Sequence, residues 1–254
     1  MELREFFEQH PKVAVAFSGG TDSAFLLYSA RKYGSDVRAY FVKTQFQPDF
    51  ELADARKLAE ELGVPLTVIT VDVFTNPDVI KNDKLRCYHC KQANFSAILE
   101  HAKKDGYELL LDGTNASDDP SDRPGMRALA ELGVRSPLRE CGLDKDEIRR
   151  LSRKAGLFTS DKPSYSCLAT RIPTDTAIDA RSLQHVEASE TALHNLGLSD
   201  LRVRKMGKTA KIQLPAEQMQ RAVEMHSEIV KELSPYFESI LLDLVPRKSS
   251  ITSN

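Results

Sequence analysis

The chain has 254 residues, of which 41% are hydrophobic and 28% are charged, and it contains no low-complexity tract. This composition excludes a disordered, fibrous or collagenous protein, and the length allows one large domain or two of ordinary size. The 35 Lys and Arg residues against 37 Asp and Glu residues give a formal net charge of -2, which provides no global electrostatic reason to expect nucleic-acid binding.

The charged start, MELREFFEQHPK, lacks the apolar run of a signal peptide. No stretch approaches the roughly 20 apolar residues of a membrane span. We therefore expect a cytoplasmic protein without a membrane partner.

Short apolar runs alternate with helical patterns over the first two thirds of the chain. This alternation predicts parallel βαβ units, and so an α/β fold with a doubly wound parallel sheet. Strands are predicted over 12–17, 37–42, 65–73 and 108–113, and helices over 23–34, 49–63, 92–106 and 143–156.

The pattern changes at about residue 177, where two helical segments and three strand-like segments predict a smaller α+β unit. The helices are predicted over 178–197 and 216–233, and the strands over 200–207, 209–215 and 239–245. We accordingly divide the chain into a nucleotide-binding domain, 1–172, and a smaller C-terminal domain, 173–254.

The segment SGGTDS follows the first predicted strand and precedes the first helix. Gly19 and Gly20 let the backbone turn tightly and approach an anion, Ser18 and Ser23 add hydroxyl donors, and Asp22 is suited to hold magnesium. The segment lacks the Gly-Lys-Ser/Thr of a Walker loop and the spaced glycines of a dinucleotide fingerprint. It therefore predicts pyrophosphate binding, with an ordinary glycine-rich turn as the alternative.

Two of the four cysteines, Cys87 and Cys90, form a CxxC within a predicted loop, and four cysteines are too few for a secreted disulfide scaffold. A structural zinc site would need a second pair of ligands, and a thioredoxin-type dithiol would need the CxxC to begin a helix directly after a strand. A third interpretation joins them to Cys167 as the three ligands of a [4Fe–4S] cluster whose open iron binds sulfide or substrate. Lys162 and Arg171 near Cys167 favour a reactive thiolate there.

The segment AFSGGTDSAFLL resembles the PP-loop ATP pyrophosphatases, the superfamily of GMP synthetase, NAD synthetase and the tRNA-thiolating enzymes. This resemblance implies ATP and magnesium, attachment of AMP to a substrate oxygen, and release of pyrophosphate. Further motifs resemble the LarE sulfur transferases in order and spacing over nearly the whole chain: LRCYHCK, DGTNASDDPSDRPGMRALAELGVRSPL, DKDEIRRLSRKAGL, DKPSYSCLATRIP, DLRVRKMG and LLDLVPRKSSITSN.

The LarE resemblance implies a substrate and two alternative sulfur sources. Members adenylate the carboxylates of pyridinium-3,5-biscarboxylic acid mononucleotide and convert them to thiocarboxylates for the nickel-pincer cofactor of lactate racemase. One branch gives up the sulfur of its own cysteine, the position that Cys167 matches, and another holds a [4Fe–4S] cluster with three cysteines. Because Cys87 and Cys90 complete the three-cysteine set, we favour the cluster and keep the sacrificial cysteine as the alternative.

The resemblance also implies ligands for ATP and for the substrate. Gly113, Thr114 and Asp118 are expected to line the ATP pocket, and Lys91 and Arg127 to neutralise phosphate.

In the C-terminal domain, Arg202 and Arg204 alternate with apolar residues and would share one face of a strand, an arrangement suited to the substrate phosphate. A solvated basic edge is the alternative. Arg171 is carried over as a phosphate or substrate contact. Glu190 is carried over as a catalytic acidic residue, a base or metal ligand, although its helix also fits an ordinary wet face.

Two rival functions remain at this point. A tRNA thiolase also combines a PP-loop with a CxxC and a distant cysteine, and RVRKMGKTAK would then be its RNA patch, but the balanced charge opposes nucleic-acid binding. A nucleotide sensor without turnover is the non-enzymatic alternative. The resemblance implies a homo-oligomer, a hexamer, and a functional link to other enzymes of nickel-pincer biosynthesis.

Overall fold

The computed structural model describes residues 2–118, 124–163 and 165–247. These residues form two compact units: the first extends to Val79 and resumes over Lys84–Lys162, and the second combines Ile80–Asp83 with the residues from Pro163 onwards. The segment 163–172, which we placed in the nucleotide-binding domain, thus packs within the second unit. Part of the predicted loop 114–125 and the last residues of the closing motif lie outside the described residues.

A four-stranded parallel sheet in the order β3-β2-β1-β4 forms the centre of the first unit, as the alternating pattern predicted. The middle of β1 and of β2 is apolar and buried, because helices pack on both faces of the sheet there. Val13 and Val15 enter one hydrophobic core, whereas Ala14 between them enters a second core on the opposite face. The strands are β1 (Lys12–Ala16), β2 (Asp36–Lys43), β3 (Leu66–Thr70) and β4 (Leu110–Leu111).

The four helices predicted for the first unit are present, with a different start at the CxxC, and the described residues contain four further helices that were not predicted. The helix predicted over 92–106 begins at Arg86, so both cysteines lie in its first turns, and our assignment of them to a loop is wrong. The helices are α1 (Leu3–Gln9), α2 (Thr21–Lys32), α3 (Asp49–Glu61), α4 (Pro77–Ile80), α5 (Arg86–Lys104), α6 (Pro124–Glu131), α7 (Pro137–Glu140) and α8 (Lys145–Lys154). Of these, α1, α4, α6 and α7 were not predicted.

The second unit contains a three-stranded sheet in the order β5-β6-β7, with β5 antiparallel to β6 and β6 parallel to β7. The single helix predicted over 216–233 is two helices that meet at Met225. The elements are α9 (Ala180–Asn195), β5 (Arg202–Met206), β6 (Thr209–Gln213), α10 (Ala216–Glu224), α11 (His226–Leu233) and β7 (Ser239–Leu242). In neither unit does a described helix have the length and apolarity to span a membrane.

Candidate active site

The loop between β1 and α2 is a tight turn of hydroxyl and backbone groups. Gly19 has φ +73, a left-handed conformation without steric cost for glycine, and a Cβ there would lie 3.0 Å from the Glu51 carbonyl oxygen. The hydroxyls of Ser18 and Ser23 are 3.0 Å apart, and Gly20 is the N-cap of α2. The first N–H groups of this 12-residue helix and the serine hydroxyls form an arrangement that is suited to a phosphate group.

Gly113, two residues after the end of β4, lies against the same loop. A Cβ on Gly113 would be 2.8 Å from the Ser23 nitrogen, so only glycine allows the two segments to approach this closely. The Thr114 hydroxyl donates to Asp112 Oδ2 at 2.5 Å, and Asp118 Oδ2 accepts from the Asn115 backbone N–H at 3.2 Å. The structure thus brings Gly113 to the phosphate loop, whereas the side chains of Thr114 and Asp118 stabilise the turn that follows it.

Asp22 is the acidic residue in the first turn of α2. Its Oδ2 accepts from Asn115 Nδ2 at 3.2 Å, whereas Oδ1 is buried without a hydrogen-bond partner among the described residues. Burial raises the pKa of Asp22, although the Asn115 hydrogen bond and the charge of Lys145 oppose this. A buried carboxylate oxygen that lacks a donor fits a hard cation, so this position suits magnesium. The sequence analysis did not single out Asn115.

Lys162 belongs to the phosphate loop rather than to the Cys167 segment. Its Nζ lies 2.5 Å from Asp54 Oδ2 and 3.4 Å from the Gly19 carbonyl oxygen. These contacts tie the end of the first unit to the turn that we assign to phosphate binding. The effect of this ammonium group on the Cys167 thiol stays a prediction.

The two cysteines of the CxxC lie one helical turn apart near the start of α5, on the same side of the helix. Cys87 is exposed, with Arg86 Nη2 at 3.5 Å from its sulfur, and Cys90 is half-buried, with Asn94 Nδ2 at 3.7 Å. Cys90 and Asn94 also line a cavity of about 270 Å³. Two thiols at this spacing suit shared binding of one metal-sulfur group.

Lys91 and Arg127, which we expected to neutralise phosphate, lie near the same helix. The Lys91 side chain passes Gly125, where a Cβ would come within 2.9 Å of its Cδ. The Arg127 guanidinium stacks over the Tyr88 ring at 4.0 Å. Their phosphate role remains a prediction.

The three-cysteine set draws on both units, with Cys87 and Cys90 in the first and Cys167 in the second. Across the described ranges, no group of three or more His, Cys, Asp or Glu side chains is arranged to hold a metal ion. Cys141, the remaining thiol, packs against the apolar core of the first unit, and burial raises its pKa. A raised pKa opposes thiolate formation, which supports a packing role for Cys141.

In the second unit, Cys167 lies at the N-cap of a short 3-10 helix, Leu168–Arg171. Arg171 is 1% exposed, and its guanidinium lies beneath this turn and hydrogen-bonds to it. Its Nη1 donates to the Ser166 carbonyl at 2.7 Å, to the Cys167 carbonyl at 3.3 Å and to the Thr170 hydroxyl at 2.9 Å. Arg171 therefore fixes the backbone around Cys167.

Glu190, on α9, is 2% exposed and accepts four hydrogen bonds. Oε1 accepts from Arg171 Nε at 2.8 Å and from the Val203 N–H at 2.8 Å. Oε2 accepts from Arg171 Nη2 at 2.9 Å and from the Tyr165 hydroxyl at 2.5 Å. Glu190 is thus on the buried face of its helix rather than the wet face. The sequence analysis missed Tyr165, although it lies within the quoted motif DKPSYSCLATRIP.

Arg202 and Arg204 lie on β5, the strand predicted for them, and both contact the Cys167 segment. The Arg202 guanidinium lies 4.8 Å from the centre of the Tyr165 ring, and Arg204 Nη1 donates to the Thr170 carbonyl at 2.7 Å. Burial, followed by the positive charges of Arg171 and Arg247, lowers the pKa of Arg202 to about 10.

The same influences lower the pKa of Arg204. Arg247 pairs with Asp200 at 3.2 Å, while its Nη1 is buried without a hydrogen-bond partner among the described residues. This group of cations, which the sequence analysis recognised only in part, would be stabilised by an anion.

Comparisons with known proteins show which sequences this chain resembles. A family model described as asparagine synthase matches residues 5–118, the part that contains the phosphate loop. An uncharacterized protein of Synechocystis sp. is 34% identical over 95% of this chain and 92% of its own length. The pyridinium-3,5-bisthiocarboxylic acid mononucleotide synthase of Lactiplantibacillus plantarum is 31% identical over 92% of this chain and 86% of its own length. A tRNA-specific 2-thiouridylase of Thermotoga petrophila is 27% identical over 59% of this chain and 54% of its own length.

Proposed function

Because this chain belongs to the LarE family of sulfur transferases, ATP-dependent enzymes of the PP-loop superfamily, we propose that its substrate is pyridinium-3,5-biscarboxylic acid mononucleotide. The enzyme adenylates each carboxylate and converts it to a thiocarboxylate for the nickel-pincer cofactor of lactate racemase. The observation that carries this proposal is the similarity to the L. plantarum synthase over 92% of the chain.

The first unit supplies the activating step. The phosphate loop would bind ATP through its serine hydroxyls and the N–H groups at the start of α2, and Gly113 leaves room for close approach. Asp22 would hold magnesium, which when bound would neutralise phosphate oxygens and orient them. The substrate carboxylate displaces pyrophosphate from the α-phosphorus, and AMP becomes its leaving group. Activation is needed because a bare carboxylate is a poor electrophile.

Cys87, Cys90 and Cys167 would supply the sulfur site. Three thiolates suit a [4Fe–4S] cluster, which when bound would offer an open iron for sulfide. The attacking sulfur forms a bond to the activated carbonyl carbon, and the bond to AMP breaks. In the alternative route, Cys167 gives up its own sulfur and becomes dehydroalanine.

Arg202 and Arg204 would hold the phosphate of the mononucleotide. Burial and the positive charges of Arg171 and Arg247 lower the pKa of Arg202, and a bound dianion would offset both effects by stabilising the charged guanidinium. We also propose that the enzyme acts as a homo-oligomer in the cytoplasm, in sequence with other nickel-pincer enzymes.

Pyrophosphate release tests this function. We expect release from ATP to require the pyridinium biscarboxylate mononucleotide. Nicotinamide mononucleotide, which retains a pyridinium ring and phosphate but has no carboxylate, should give none. Equal release with both ligands, or release stimulated only by tRNA, would reject the proposal in favour of another acceptor.

The sulfur source is tested by metal analysis. Anaerobically purified protein should contain iron and acid-labile sulfide, and Cys87→Ala should lose both, whereas Cys141→Ala should retain them. Protein without iron, whose mass after turnover shows dehydroalanine in place of Cys167, would support the sacrificial route instead.

A further inference from the structure

The backbone around Cys167 is held by a buried network within the second unit. Arg171 closes the turn with bonds to the carbonyls of Ser166 and Cys167, and Glu190 holds Arg171 through both of its carboxylate oxygens. A bidentate pair between an arginine and a carboxylate fixes both position and orientation. Any shift of Glu190 would therefore be transmitted to the Cys167 turn.

The four hydrogen bonds to Glu190 fill the four acceptor directions of a carboxylate. To take a substrate proton or bind a metal ion, Glu190 would first have to give up one of these bonds in a buried setting, which is costly. This geometry suits a positioning residue rather than a base or a metal ligand.

The strand that we assign to phosphate binding is attached to the same network at three points. Arg202 stacks on the Tyr165 ring, Arg204 donates to the Thr170 carbonyl, and the Val203 N–H between them donates to Glu190. Both ends of the Cys167 turn are thus in direct contact with the two guanidiniums of β5. An anion that draws these guanidiniums together would act on the turn from both ends.

We propose that binding of a phosphate group by Arg202 and Arg204 orders the turn around Cys167, with Tyr165 and Glu190 as the positioning residues that transmit the effect. The phosphate site rests on the proposed function, whereas the transmission to the turn is additional. Its consequence is that the sulfur site, already held by the buried network, becomes most rigid when a phosphorylated ligand is present. This limits attack by sulfur to the intended substrate.

Hydrogen exchange tests the coupling in the full-length protein. With ribose 5-phosphate as the probe, backbone exchange in residues 165–171 should slow by about fivefold or more, the factor that one ordinary hydrogen bond provides. Tyr165→Phe keeps the ring beneath Arg202 but removes a donor to Glu190. This variant should still bind ribose 5-phosphate, yet lose most of the slowing.

Matched variants separate transmission from binding. Lys205→Gln removes one cation from the same strand, where Lys205 Nζ donates to the Gly207 carbonyl at 2.8 Å, and it should respond as wild type does. Arg204→Gln should weaken phosphate binding itself. Glu190→Gln should lower the ratio of thiocarboxylate formed to pyrophosphate released, without a matching rise in KM for the mononucleotide.

The coupling is overturned if saturating ribose 5-phosphate leaves exchange at 165–171 unchanged in the wild type, or if Tyr165→Phe responds fully. Ribose 5-phosphate has neither carboxylate nor pyridinium ring. Slowed exchange would therefore support the coupling even if the biscarboxylate failed as a substrate, and pyrophosphate release without slowed exchange would reject the coupling alone.

Discussion

At the scale of single residues, Asp22 shows how a position that we propose for magnesium costs stability. Its Oδ1 is buried without a hydrogen-bond partner among the described residues, and burial raises its pKa. Because the folded-state pKa lies above the usual value of 3.8, Asp22 favours the folded state at low pH. This contribution is lost as the pH rises through the folded-state pKa, so the ionised group is a cost at neutral pH.

We therefore expect Asp22→Asn to raise the free energy of unfolding at pH 7 by on the order of 1 kcal/mol when magnesium is absent. The same variant should lose magnesium-dependent stabilisation by ATP and release pyrophosphate slowly. Thermal unfolding with and without magnesium-ATP measures both effects. A less stable apo variant that still gains full stabilisation from magnesium-ATP would contradict the assignment.

Cys167 and Cys141 provide a matched pair of thiols. Cys167→Ala should abolish thiocarboxylate formation but retain ATP binding and the release of pyrophosphate, because activation uses the first unit. Cys141→Ala should retain both reactions and lose only the packing of a half-buried thiol, about 1 kcal/mol. Product formation by Cys167→Ala would show that sulfur is not delivered through this residue.

Several residues of the candidate site could be predicted from the sequence because their motif is local. The SGGTDS turn needs only a strand before it and a helix after it. Tyr165 and Lys162 could not be assigned in this way. Their partners, Glu190 and Asp54, are distant in sequence, and only packing of the whole unit brings them together.

At the scale of elements, the approach of β4 to the start of α2 determines the shape of the phosphate loop. Gly113→Ala places a Cβ 2.8 Å from the Ser23 nitrogen, which is backbone and cannot rotate away. We expect a loss of about 1–3 kcal/mol in the free energy of unfolding, as in other overpacked sites, together with weaker ATP binding.

The matched variant for this test is Gly20→Ala, whose Cβ would meet the Ser18 hydroxyl at an ordinary 3.4 Å. It should fold with a smaller loss, within about 1 kcal/mol. Denaturant unfolding and ATP titration compare the two. If Gly113→Ala kept the stability and the ATP affinity of the wild type, the close approach of residue 113 to Ser23 would not be needed for folding or for ATP binding.

The start of α5 shows why an element boundary was mispredicted. Leu85 is the N-cap and makes no side-chain capping hydrogen bond, so the polar residue that normally signals a helix start is absent. The charged run KNDKLR before it is typical of a loop. Asp144, which does accept from the Glu147 N–H at 2.8 Å, marked the start of α8 correctly.

At the scale of the whole molecule, the sheet architecture could be predicted from the sequence. The central residues of β1 and β2 are apolar and buried, and these strands alternate with helices. The C-terminal boundary of the nucleotide-binding domain could not be predicted in the same way. Segment 163–172 comes soon after α8 in the sequence, but it packs against Glu190 and β5 in the second unit. Long-range contacts of this kind leave no periodic signal.

Analysis of the mononucleotide product tests the central claim most directly. The protein, kept anaerobic and supplied with magnesium-ATP, sulfide and pyridinium-3,5-biscarboxylic acid mononucleotide, should yield by mass spectrometry a product in which carboxylate oxygen is replaced by sulfur. Omission of ATP should abolish it. An unmodified mononucleotide after ATP has been consumed would contradict the assignment of this chain to sulfur transfer onto that substrate.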